Sequence, residues 1–157
     1  EEPIDDQDID GYCEIRKALP LRIAGAESRI GLPSFNEIVQ RKAVDLIQPD
    51  IRRAGGFAEG RRICALAEAN GVCVIPHAFG SVVGLAATLQ WMATIPDDPS
   101  ELDPMPAYLE LDVMENGLRT DLASTPFELK KGIMAIPDRP GLGVELDENA
   151  LRRYASK

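Results

Sequence analysis

Short apolar runs with a strand-like composition alternate along this chain with segments whose apolar residues recur at helical spacing. The strand-like runs are LRIAGAE (21–27), VDLIQPD (44–50), GVCVIPHA (71–78) and AYLELD (107–112). Between and around them lie four helical segments. The first is expected from Asp5 to Leu19, with Asp5, Asp6 and Asp8 at its positive N-terminal end. The second is expected to open on a capping box, Ser34-Phe35-Asn36-Glu37, with Phe35, Ile38 and Val39 following at helical spacing. The third runs from about Phe57 to Ala69 and stops at Asn70-Gly71, where glycine can take the left-handed conformation. The fourth, Ser81 to about Thr94, is apolar nearly all round and is expected to pack on two sides.

Strands alternating with helices are the signature of βαβ units and a parallel sheet. No GxGxxG follows any of the strands, and Gly55-Gly56 lacks the third glycine of that fingerprint, so a dinucleotide-binding sheet has little support. The expected fold class is α/β, the C-terminal half of a (β/α)8-type, TIM-like barrel. A complete barrel takes about 250 residues, and the 157 present suit roughly half of one plus a tail. Residues 1–114 are assigned to the half-barrel. Residues 115–157, rich in turns such as Asp138-Arg139-Pro140-Gly141, are assigned to a tail that leaves it.

Composition narrows the class of partner. A net charge of −9 and no clustered Lys/Arg face argue against nucleic acid. The pairs Arg52-Arg53 and Arg61-Arg62 read as solvated charge at helix flanks. No apolar run approaches the roughly 20 residues of a membrane span. The opening Glu1-Glu2-Pro3 is unlike a signal segment, so a cytoplasmic location is expected. Cys13, Cys64 and Cys73 lack CxxC spacing and read as free thiols in a reducing compartment, with no metal role.

In a parallel barrel the C-terminal strand ends share one face, so polar residues there converge in space. Those residues are Glu1, Glu27, Asp50, His77 and Glu110. His77 is the one histidine of the chain. By itself, a buried histidine held by a backbone carbonyl is the commoner case, and Glu27 could simply cap the turn before Arg29, with Glu1 in a surface loop. Asp50 and His77 are a sharper pair. They close adjacent strands, and a carboxylate bonded to one ring nitrogen fixes the tautomer and raises the basicity of the other, which makes a general base. Glu1 and Glu27 supply the hard oxygen donors that Mg²⁺ prefers.

The ordered set GluGluPro (1–3), AlaGlyAlaGlu (24–27), GlnProAsp with GlyGly following (48–56), IleProHis (75–77) and IlePro-x-x-ProGlyLeuGlyValGluLeuAsp (136–147) resembles the mandelate racemase group of the enolase superfamily, the mandelate racemase/muconate lactonizing enzyme family. The resemblance covers the whole chain. It implies that Glu1 and Glu27 are Mg²⁺ ligands, with Glu2 supporting them from behind. It implies that His77, oriented by Asp50, moves the proton on the carbon next to a substrate carboxylate. Glu110 would correspond to the strand-eight acid that hydrogen-bonds that carboxylate as it becomes an enediolate. Asp112 and Glu101 compete for this role across the ProAspAspPro stretch at 96–99. The third metal carboxylate, the lysine pair of the opposite face and a capping domain met by the tail lie outside these residues, so the chain alone is not expected to be a competent enzyme.

The reaction expected of a His–Asp dyad in this group is Mg²⁺-dependent abstraction of the α-proton, foremost in the dehydration of an acid sugar, an aldonate or aldarate. The runner-up is racemisation or epimerisation of a 2-hydroxy acid. A cycloisomerase ranks third, because a lysine is expected where this chain has Asp50 followed by Arg52-Arg53. A different class stays open: a non-catalytic half-barrel acting only with a partner chain, since exposed edge strands favour association and the 81–94 helix could form an interface. The partners expected are a small-molecule carboxylate and further copies of the chain in a homo-oligomer, with neither nucleic acid nor membrane.

Overall fold

The computed structural model describes residues 1–95 and 107–155. In chain order its elements are α1 (Ile9–Ala18), β1 (Ala24–Gly25), α2 (Gly31–Gln40), β2 (Leu46–Ile47), α3 (Ile51–Ala54), α4 (Gly56–Ala69), β3 (Cys73–Val74), β4 (His77–Ala78), α5 (Val82–Met92), β5 (Glu110–Leu111), α6 (Gly117–Thr120), β6 (Leu129–Lys130), β7 (Ile133–Met134) and α7 (Glu148–Tyr154). Among the described residues no helix is long and apolar enough to cross a membrane. The ProAspAspPro stretch and Glu101 lie outside the described residues.

The chain divides into two compact units. One comprises residues 1–77 and 94–110, the other 78–93 and 111–157. In the first, β1, β2 and β3 form a parallel sheet in that order, with Ala24 opposite Leu46 and Leu46 opposite Cys73. The ladder reaches past the strands, through Gln48 N to Gly25 O at 2.9 Å and Ile75 N to Ile47 O at 2.9 Å. Proline at 49 and 76 explains why the regular pairing is short. Neither residue has an N–H to donate, so the expected strand 71–78 is interrupted and resumes as β4 after Pro76. Phe35, Ile38 and Val39 of α2, Ile63 and Ala67 of α4, and Ile47 of β2 are fully buried and form the core of this unit.

Helix starts differ from the expected ones for identifiable reasons. The first helix begins not at Asp5 but after Asp8, whose Oδ1 accepts the Gly11 N–H at 2.9 Å. Asp5 instead holds a turn, accepting from Gln7 N at 2.9 Å, as short acidic side chains do outside helices. The expected capping box does not form. Helix α2 starts at Gly31 with no side-chain cap, and Ser34 lies inside it, its Oγ donating to Ile30 O and Gly31 O, both at 2.9 Å. Pro33 suits that first turn, where its missing N–H has no partner to lose. The end of α4 is as expected: Val72 N donates to Ala67 O and Gly71 N to Glu68 O, a Schellman motif with Gly71 at φ +67°.

In the second unit α5 buries Val82, Leu85, Ala86, Leu89 and Trp91, consistent with a helix apolar on most sides. Val82 packs with Leu122, Ala123 and Ala150, and with the partly buried Phe127 and Val144. The tail residues thus share a small core with α5. The β6–β7 pair forms an antiparallel hairpin, and Asp147 caps α7 by accepting from Asn149 N and Ala150 N.

Candidate active site

Equal offsets in a parallel ladder bring equal positions side by side. Asp50 follows Leu46 by four residues and His77 follows Cys73 by four, and Leu46 and Cys73 are paired. The two side chains meet: His77 Nδ1 is 3.0 Å from Asp50 Oδ2. The other ring nitrogen, Nε2, faces Glu27 Oε2 at 3.5 Å. Glu110 completes the group, with Glu27, His77 and Glu110 each offering a ligand atom within 4.8 Å of the other two. Four of the five residues singled out in the sequence therefore converge within the first unit. Glu1 is exposed and does not join that triplet, but it is near enough for its charge to act on Glu110.

Asp50 does two jobs that the sequence did not separate. It ends the β2 run and caps α3, its Oδ1 accepting the Arg52 N–H at 2.9 Å. The Arg52 side chain, read from sequence as solvated charge, folds back onto the same carboxylate through Nε at 2.9 Å and through its NH2 group. Asp50 is completely buried. Burial alone would push its carboxyl up, but the bonds from the Arg52 side chain, the Arg52 backbone and His77 outweigh it and hold Asp50 below the usual range. An ionised Asp50 fits the orientation of His77, because a carboxylate accepts from Nδ1–H. Arg53 is exposed, as the solvated reading expects, and also donates to Ser28 O at 3.0 Å.

The carboxylates across the ring from Asp50 have the opposite electrostatics. Glu110 is raised above the ordinary range by burial and then by the negative charges of Glu1 and Glu27, with His77 and Gln48 opposing. Glu2 is raised by burial and by Glu27, while its Oε1 accepts the Ala26 N–H at 3.2 Å and ties the start of the chain to the end of β1. This surplus of negative charge on oxygen donors suits a divalent cation, which would relieve it. Asp112, a competitor for the Glu110 role, is committed elsewhere, to Arg119 and to Met114 N.

Gln48 was missed in the sequence. It is almost fully buried, and its Nε2 donates to Glu110 Oε2 at 2.8 Å. The available signal was a polar residue two positions before Asp50 in an apolar run, on the same side of an extended backbone.

A model of the family described as Enolase C-terminal domain-like matches residues 1–150. The chain is 36% identical over 154 residues to a D-galactarolactone cycloisomerase of Agrobacterium fabrum, covering 98% of this chain and 41% of that protein. It is 29% identical over 157 residues to an arabinonate dehydratase of Saccharolobus solfataricus, covering 100% of this chain and 40% of that protein. Among solved structures, the 3,6-anhydro-D-galactonate cycloisomerase from Zobellia galactanivorans superposes with a TM-score of 0.88 at 31% identity, over 99% of this chain and 42% of that one. The chain therefore spans about two fifths of the length of these relatives.

Proposed function

The chain belongs to the enolase C-terminal domain-like family, and from that premise we propose that it carries the acid–base half of a Mg²⁺-dependent acid-sugar dehydratase acting on an aldonate or aldarate. The observation that carries the proposal is the buried, ionised Asp50 against His77 Nδ1, with His77 Nε2 turned toward the Glu27–Glu110 carboxylates.

His77 takes the proton from the carbon next to the substrate carboxylate, onto Nε2. Asp50 keeps Nδ1 protonated and stabilises the imidazolium that forms, and Arg52 keeps Asp50 ionised and fixed. The electrons of the broken C–H bond pass into the carboxylate as an enediolate. They return to expel the hydroxyl on the next carbon, which leaves as water with the proton delivered by His77, and the resulting enol becomes a 2-keto-3-deoxy acid. Glu1 and Glu27 are the metal ligands of this reading, and Glu110 hydrogen-bonds the substrate carboxylate. When bound, Mg²⁺ supplies the positive charge that makes so weak a carbon acid ionisable. The names of the dehydratase relatives support the loss of water, and the name of the Agrobacterium relative favours a second reading, cycloisomerisation. There the same proton abstraction on a lactone would expel a ring oxygen. Product mass separates the two: lower than substrate by one water, or unchanged.

The test is His77→Asn in the full-length protein, incubated in deuterated water with Mg²⁺ and a panel of aldonic and aldaric acids. The expected result is α-proton exchange in the wild type and none in the variant, with Mg²⁺ affinity retained. Exchange at the wild-type rate in His77→Asn would remove the mechanism.

A further inference from the structure

Gln48 sits one layer beneath the dyad. Its backbone N–H is fixed to Gly25 O at 2.9 Å, and extended backbone turns it to the same side as Asp50. Its side chain is only 4% exposed. One half of the amide is used, Nε2 donating to Glu110 Oε2 at 2.8 Å. The other half, Oε1, is enclosed and finds no hydrogen-bond partner among the described residues. An unpaired buried carbonyl costs stability, and an apolar side chain of similar volume would avoid that cost. The retained amide therefore serves the group it touches.

We infer that Gln48 is a positioning residue that fixes the carboxyl of Glu110 for the reaction. The assignment rests on the proposed function, in which Glu110 meets the substrate carboxylate. An amide suits such a carboxyl better than a lysine or an aspartate would. Its Nε2 donates to Glu110 Oε2 at 2.8 Å without adding another charge to the crowded carboxylates. A hydrogen-bonding group displaced by even a small distance from its working geometry loses much of its value in the transition state. Because Glu110 strengthens its contact as charge develops, losing its support lowers kcat more than it raises KM.

The experiment is a double-mutant cycle in the full-length protein with saturating Mg²⁺, comparing wild type, Gln48→Met, Glu110→Gln and the double variant on one acid sugar. Gln48→Leu serves as a second variant of similar volume. The expected result is a fall in kcat of about 10- to 100-fold for either Gln48 variant, the scale of a misplaced group at a reacting centre. KM and Mg²⁺ affinity stay close to wild type, the thermal midpoint is no lower than in wild type, and the Glu110→Gln background shows no further loss from either Gln48 change. Wild-type kcat in Gln48→Met and Gln48→Leu overturns the inference. So does an equal loss in both backgrounds, which would mean Gln48 does not act through Glu110. A wild-type protein that exchanges no acid-sugar α-proton overturns the proposed function and this inference together, whereas active Gln48 variants leave the proposed function standing.

Discussion

At the scale of single residues, the site is built from carboxylates with opposed environments. Asp50 is surrounded by donors, from Arg52 and His77, and stays ionised in a fully buried position. Glu2 and Glu110 each lie near Glu27 with few donors, and burial together with the negative charges of Glu27 and Glu1 pushes both up. The asymmetry supports the proposed roles: a carboxylate with fixed donors can orient a base, while crowded ones suit a cation and a substrate anion. Glu27 is central to the crowded set, lying 3.5 Å from His77 Nε2. Glu27→Gln should therefore weaken Mg²⁺ binding in the full-length protein by more than the about 10- to 100-fold lost when a group supporting a metal ligand from behind is removed. Isothermal titration with Mg²⁺ reads this directly, and an unaltered isotherm would take Glu27 out of the ligand set.

At the scale of elements, what holds these residues in place is how strands hand over to helices. The α4–β3 connection is set by Gly71, at φ +67° with open space around the position a Cβ would take. Only backbone strain opposes a side chain there, so Gly71→Ala should cost about 1–2 kcal/mol, measured by urea denaturation, and a variant as stable as wild type would mean that the turn relaxes freely. This stop was legible because glycine after a helical run has a single strong use. The apolar runs that hold β2, β3 with β4, and β5 were legible for a similar reason, as were the polar residues at or near their ends, Asp50, His77 and Glu110: such residues at successive strands leave few topologies. The capping box was misread because Ser34 can bond to carbonyls one turn back as readily as to amides ahead, and the helix had already started at Gly31. Helix α3 was missed because four residues are too few to show a period. The fold of Arg52 onto Asp50, two residues back, is a local rotamer choice, invisible in a pattern that marks arginine only as polar.

At the scale of the whole molecule, the two kinds of carboxylate give stability opposite dependences on pH. Asp50 is lowered in the folded chain, so below its unfolded value of about 3.9 the unfolded state binds more protons and stability rises with pH. Glu2 and Glu110 are raised, so above the unfolded value of about 4.3 the folded state holds more protons and stability falls as pH climbs toward their folded values. In a chain of net charge −9, further ionisation adds self-repulsion in the same direction. The denaturant midpoint measured without divalent ions should thus fall as pH rises above about 4.3, and Glu110→Gln should make the fall shallower by removing one raised group. Mg²⁺ should flatten it further in the wild type, because a cation that binds only the folded, ionised site stabilises it most at neutral pH, where the carboxylates are charged. Parallel curves for wild type and Glu110→Gln would mean that Glu110 carries no strain from its neighbours. The crowded carboxylates would then lose their standing as a surplus of negative charge suited to a metal, while Asp50, whose carboxyl is shifted in the other direction, would be untouched.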